Sequence, residues 1–197
     1  MEQNKLLPVK MIVFSALFAA LVCVGAYIAI PIGPVPIVLQ NFFVLLAALL
    51  LGKKYGLLSI VVYLLCGIVG LPVFSKGGAG IAHLFGPTGG YLLSYLPAVF
   101  LAGFICERGA RSMLNDAVAI IVASLLIYGI GVPWLKIQTG LSWNKAFFAG
   151  MFPFIIPDCI KIIAAVIIRK AVWPTWRTFI LPLQKDVKNN KPEPEIP

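Results

Sequence analysis

The sequence predicts an all-α integral membrane protein of six transmembrane helices, and three observations carry that prediction. The chain of 197 residues is 60% hydrophobic and only 12% charged, about half the ~25% charge of a soluble domain. Its mean hydropathy is +0.98. Its apolar runs approach the ~20 residues that cross a hydrocarbon core as helix, and its basic residues flank those runs.

The first span is expected at 11–31, after a short cytoplasmic N-terminus of residues 1–10. Its apolar run continues to Ile30 with no small-residue cleavage site, so it reads as a retained span. Pro31, Pro34 and Pro36 then fix an extended outer loop. Spans two (37–52) and three (56–73) are separated by Gly52-Lys53-Lys54-Tyr55-Gly56, and Pro72 closes the third. Both are short, so one should be tilted, broken or partly buried in protein. Spans four, five and six are expected at 89–106, 116–135 and 147–172. Residues 173–197 form a cytoplasmic tail, polar and proline-bearing from Leu183 and read as disordered.

Orientation follows from the basic residues. With six spans, Lys5, Lys10, Lys53, Lys54, Arg108, Arg111, Arg169, Lys170, Arg177, Lys185, Lys188 and Lys191 share one face. Lys76, Lys136 and Lys145 lie on the other. That excess places both termini in the cytoplasm. Trp134, Trp143, Trp173 and Trp176 fall near span ends, where interfacial aromatics belong. The net charge of +9 is thereby explained by topology, and nucleic acid is not an expected partner; the lipid bilayer is.

Several chemistries lack their residues. Cys23, Cys66, Cys106 and Cys159 are scattered and form no CxxC pair, so neither a disulfide framework nor a metal site is implied. His83 is the single histidine, no H-E-x-x-H or G-x-S-x-G occurs, and no ATPase motif is present. Binding without catalysis or cofactor is the expectation.

The site is expected around Asp158 and Lys161. They lie three residues apart on one helical face, within an apolar stretch, whereas every other charge can be assigned to a loop or terminus. A charge at the bilayer centre costs about 2.5–3.5 kcal/mol on insertion scales and defaults to a functional role. Pro153 and Pro157 should break the segment just before it. With Pro157 in the first turn, Asp158 sits at a helix N-terminus, whose dipole favours the carboxylate. Eleven residues before Arg169, it lies roughly 17 Å above the inner interface. Gln40 and Asn41 offer neutral polar groups at the same level. The loop from Ser75 to Gly90 carries six glycines in sixteen residues, suited to close approach to a ligand, and Ile81, Leu84 and Phe85 should dip it inward as a lid. Ala16 and Ala20 form a small-xxx-small face on span one, for another span or a partner subunit.

Four strings carry a resemblance: Pro34-Val35-Pro36-Ile37-Val38-Leu39-Gln40, Leu49–Gly52 with Gly56–Tyr63, Gly67–Phe74, and Gly86-Pro87-Thr88-Gly89-Gly90-Tyr91. Together, over about 11–172, they closely resemble the BioY family, the biotin-binding S components of energy-coupling factor transporters. Pro157-Asp158 with Lys161 fits the family's last-span pattern, and Ser75-Lys76-Gly77-Gly78 departs from its loop. The resemblance implies a six-helix protein of the bacterial plasma membrane that captures biotin outside. It would then join a transmembrane coupling subunit, docking through Ala16 and Ala20, and two cytoplasmic ATPases. For a ureido ligand, Asp158 would accept the N–H groups. Lys161 would either stabilise Asp158 or meet the ligand's carbonyl or carboxylate. Gln40, Thr88, Tyr91 and the loop glycines Gly78, Gly86, Gly89 and Gly90 would add contacts and cover. The alternatives are an S component for another vitamin, or a membrane enzyme or scaffold using Asp158–Lys161 structurally.

Overall fold

The computed structural model describes residues 3–109 and 112–189. Among them the helices are α1 (Gln3–Tyr27), α2 (Gln40–Ile68), α3 (Ile81–Leu84), α4 (Gly89–Arg108), α5 (Met113–Thr139), α6 (Trp143–Gly150) and α7 (Ile155–Asn189). A two-residue antiparallel ribbon, β1 (Ala29–Ile30) with β2 (Ile37–Val38), joins α1 to α2. Five helical stretches among the described residues are long and apolar enough to cross a membrane: Pro8–Tyr27, Gln40–Ile68, Gly89–Arg108, Met113–Thr139 and Trp143–Trp176.

The second of these is two segments. Gly52 has φ 73 and ψ −174 inside α2, a conformation that breaks the helix and that glycine adopts without a Cβ penalty. Gln40 Nε2 donates to the Tyr63 hydroxyl at 2.7 Å, although 23 residues of straight helix would hold them about 34 Å apart. The chain therefore doubles back at Gly52, so that α2 contributes two legs to the bundle. The legs, 40–51 and 53–68, are about 18 and 24 Å long, short of a ~30 Å hydrocarbon core. The shortfall is tolerated because the first leg is enclosed by protein. Every residue from Val44 to Leu51 is buried, as an all-round apolar helix requires.

The turn is fastened to the end of α4. Lys53 donates its backbone N–H to Glu107 Oε1 at 2.9 Å, and its ammonium meets Oε2 at 3.1 Å. Phe14 of α1 packs edge-on against Trp176 of α7, with ring centroids 4.5 Å apart. Nearby, Ser15 donates to the Tyr55 carbonyl. The start of α1 and the later part of α7 thus share the Gly52 end of the bundle.

Several boundaries differ from expectation. Span one ends as helix at Tyr27, because the ribbon and Pro31 take over the backbone. The segment 147–172 is not one helix: α6 stops at Gly150, a 3-10 turn occupies Phe152–Phe154 around Pro153, and α7 starts at Ile155. Helix also runs past 172 to Asn189, so residues 183–189, expected as part of a disordered tail, are helical. Residues 190–197 lie outside the described residues.

The glycine-rich loop enters the protein by a different residue than expected. Ile81 and Phe85 are exposed, and only Leu84 of that trio is buried. Phe74 is the plug, with no exposed surface. Its ring stacks on His83 and meets Tyr63 edge-on, at centroid distances of 5.1 and 5.6 Å. It lies where a Cβ on Gly67 would sit.

Asp158 and Lys161 are also not the only buried charges. Asp116 of α5 and Arg169 of α7, which fall among the charges assigned above to loops or termini, are buried and paired with each other. Cys106 points its thiol at Asp116 Oδ1 at 3.8 Å, and the Arg169 guanidinium lies 4.7 Å from the Trp173 ring.

Two predictions follow from these contacts. Gly52→Val strains the turn and drives a Cβ against Glu107, so the folded yield and thermal midpoint in detergent should fall, by ~1–3 kcal/mol of stability. Asp116→Ala should cost about 3–5 kcal/mol by stranding Arg169, while Asp116→Leu with Arg169→Met should be far milder. Thermal unfolding of the purified variants checks both.

Candidate ligand-binding site

At the end of the bundle opposite Gly52, the break before α7 places Asp158 in that helix's first turn, where unpaired backbone N–H groups favour a carboxylate. Asp158 is 7% exposed and Lys161 is 9% exposed. Their burial is tolerable because every strong demand is met. Asp158 Oδ1 accepts from Asn41 Nδ2 and Lys161 Nζ, both at 2.9 Å, and Oδ2 accepts from the Tyr128 hydroxyl. Lys161 Nζ also donates to Asn41 Oδ1 and to the Val38 carbonyl, both at 2.8 Å. The reciprocal bonds fix the Asn41 amide: reversed, it would turn its NH2 towards the ammonium.

An ammonium has three N–H donors, and all three of Lys161's are used within the chain. The network joins β2, α2, α5 and α7 and carries no net charge. A carboxylate accepts up to about four hydrogen bonds, and three are filled. The arrangement thus offers a ligand acceptor capacity at Asp158, without a free cation.

These groups wall a cavity with about 610 Å³ of empty space, counted with its open mouth. Of the residues expected from sequence, Asp158, Lys161, Gln40, Thr88 and Tyr91 line it. Gln40 reaches it with its amide nitrogen committed to Tyr63. Tyr91 presents its ring, since its hydroxyl donates to the Gly150 carbonyl at 2.8 Å.

The four loop glycines are not part of the lining. Gly86 accepts from Trp134 Nε1 at 3.0 Å, Gly90 packs on the same indole, Gly89 lies against the Leu84 backbone and Gly78 against His83. Their small size lets the loop and α4 pack closely. His83 itself sits in this loop, where burial holds its imidazole below the ordinary pKa and hence neutral.

Asn41 holds the centre of the network, a larger part than its sequence position suggested. Tyr128, Tyr95 and Ser124 line the cavity as well and were not singled out from sequence. The available signal was spacing: Tyr91 with Tyr95, and Ser124 with Tyr128, are i, i+4 pairs within apolar helices, hence on one face. On α1, Ala16 and Ala20 are exposed alongside Ile12, Val13 and Leu17, while Ala19 is buried. The small-residue face is therefore directed outwards, away from the chain's own core.

Fold and cavity together define a class: a polytopic helical membrane protein with a cavity walled by a buried ionic network at one end. A family model described as the BioY family matches residues 1–178, and the chain belongs to that family. It is similar to a Pyrococcus horikoshii protein named "Probable biotin transporter BioY", 49% identical over 153 residues, covering 78% of this chain and 90% of the relative. The Thermotoga maritima "Biotin transporter BioY" is 42% identical over 160 residues, covering 81% and 93%. A 2.1 Å crystal structure of the S-component for biotin from an ECF-type ABC transporter superposes with a TM-score of 0.79. Its sequence is 31% identical, and the match covers 85% of this chain and 92% of that one.

Asn41→Leu should uncouple the network by leaving Lys161 one acceptor short and Asp158 one donor short. A loss of roughly 1–3 kcal/mol is expected, read as a thermal midpoint lower by several degrees.

Proposed function

We propose that this chain is a biotin-binding S component, which captures the vitamin at the outer face for ATP-driven uptake. The observation that carries the reading is the Asp158 carboxylate, held in register by Lys161, Asn41 and Tyr128, with acceptor capacity towards the cavity. Biotin's ureido ring presents two N–H donors and carries no charge, which suits a net-neutral network ending in an acceptor. Lys161 serves as the partner of Asp158, because its three donors are spent inside the chain. Gln40, Thr88 and Tyr91 contribute the surrounding wall, and the glycines shape the loop that covers it.

The orientation belongs to the same proposal. The excess of basic residues among the loops and flanks supports an orientation with the Gly52 end on the cytoplasmic side. The cavity then opens outwards. The chain has no phosphate-binding loop of its own, so the energy comes from partners: a transmembrane coupling subunit and two cytoplasmic ATPases. The exposed Ala16–Ala20 face permits the close helix approach by which α1 would dock on the coupling subunit.

Calorimetry on the detergent-purified, ligand-stripped chain tests the reading, with desthiobiotin and thiamine for comparison. Near one-to-one binding selective for biotin is expected; a folded sample that ignores biotin and takes thiamine would sink it. Asp158→Asn should weaken biotin binding more than tenfold without unfolding the protein. Asp158→Leu with Lys161→Leu should fold yet fail to bind, whereas a purely structural pair would tolerate that exchange.

A further inference from the structure

Ser124 departs from the behaviour of the other serines buried in these helices. Ser15 donates to the Met11 carbonyl at 2.9 Å, Ser59 to Gly56 at 2.6 Å and Ser94 to Tyr91 at 2.6 Å. Each thereby satisfies its hydroxyl on a carbonyl of its own helix, Ser15 sharing its proton with the Tyr55 carbonyl. Ser124 is 8% exposed, and its hydroxyl oxygen is enclosed without a hydrogen-bond partner among the described residues. Buried polar groups are paired in the large majority of cases, so an orphan requires an explanation. Its position supplies one, because Ser124 lines the same cavity as Asp158.

The geometry narrows the role. Ser124 lies one helical turn before Tyr128, whose hydroxyl holds Asp158. Since α5 runs from the Gly52 end towards the cavity, Ser124 is about 6 Å deeper than Tyr128. Tyr95, one turn below Tyr91 on α4, lines the cavity as well. Above this floor, Asp158 has room for one further donor and Lys161 has no donor left. A ureido head also brings one strong acceptor, its carbonyl oxygen, and that oxygen needs a donor. The ring sulfur is a weak acceptor and does not satisfy a buried hydroxyl.

We propose that Ser124 is a specificity-determining residue whose hydroxyl donates to the ureido carbonyl of the bound ligand, so that the head group enters first and the valeryl carboxylate stays at the mouth. The inference rests on the biotin reading of the cavity and adds to it the direction of entry and the donor at its floor.

The test is biotin affinity by calorimetry for the full chain, Ser124→Ala, Ser124→Cys and the control Ser59→Ala, each checked for its thermal midpoint. Ser124→Ala should weaken biotin about tenfold, the scale of one neutral hydrogen bond. Ser124→Cys preserves the approximate volume with a weak donor and should weaken it comparably; Ser59→Ala should stay within about twofold. With 2-thiobiotin, whose thiocarbonyl is a poor acceptor, the Ser124→Ala effect should shrink to less than about threefold.

Three results would overturn the assignment. One is biotin affinity unchanged in Ser124→Ala. Another is wild-type affinity in Ser124→Cys beside a weakened Ser124→Ala, which would mark a space-filling role. The third is an equal loss for biotin and 2-thiobiotin. Any of these, with wild-type binding of biotin intact, removes Ser124 alone. Absence of biotin binding by the wild-type chain removes the biotin reading and this inference together.

Discussion

A carboxylate and an ammonium buried within a membrane-spanning bundle must be satisfied by the protein, because no water reaches them from the lipid side. Insertion of an unpaired charge is unfavourable by several kcal/mol, and leaving one partner of a buried pair alone is comparably destabilising. The placement of Asn41, Val38 and Tyr128 follows from this requirement. Three elements besides α7 must approach the start of that helix to fill the bonds of Asp158 and Lys161. The ribbon β1–β2 looks minor by length, yet it delivers the Val38 carbonyl to the ammonium. The first leg of α2 ends its enclosed course at the level where Asn41 can bridge both charges.

The same constraint explains why the first leg of α2 can be so short. A segment that faces lipid must match the hydrocarbon thickness or distort it. A segment enclosed by neighbouring helices faces no lipid and needs only to carry its terminal polar residues to the right depth. Val44–Leu51 are buried, and Gln40 and Asn41 emerge at the cavity. The turn at Gly52 returns the chain through 53–68, where Tyr63 receives the Gln40 amide. The hairpin thus supplies the central post of the bundle and one wall of the site.

Much of this was readable in the residues. The break at Gly52, the loop fixed by Pro31, Pro34 and Pro36, and the placing of Asp158 just after Pro157 follow from local backbone chemistry, which acts at short range. The partners of Asp158 were less accessible. Tyr128 and Asn41 are 30 and 117 residues away along the chain, and their approach depends on how the helices rotate about their axes. The i, i+4 pairs Tyr91–Tyr95 and Ser124–Tyr128 mark a polar stripe without saying what it faces. Asp116 and Arg169 were hidden for a related reason. Asp116 lies in the first turn of α5 and Arg169 near the expected end of span six at 172, where a charge normally reaches water, and only the packing of α4, α5 and α7 encloses them. Phe74 escaped notice because hydropathy does not distinguish which loop aromatic turns inwards; the space left by Gly67 decides it.

Taken with the site, the second buried pair has a consequence for rigidity. Helices α5 and α7 are joined at two levels, by Tyr128 to Asp158 at the cavity and by Asp116 to Arg169 towards the opposite end. The spacing is 12 residues on α5 and 11 on α7, about 18 and 17 Å, so the two bonds form nearly parallel rungs between antiparallel helices. One rung would leave α7 free to turn about the bond. Two rungs at such separation resist both rotation and sliding, since either motion would strand a buried polar group at each level. A carboxylate that must meet a small ligand within a few tenths of an ångström requires that kind of support. The Asp116–Arg169 pair lies too far away to touch a ligand in the cavity, yet it helps to determine where Asp158 points.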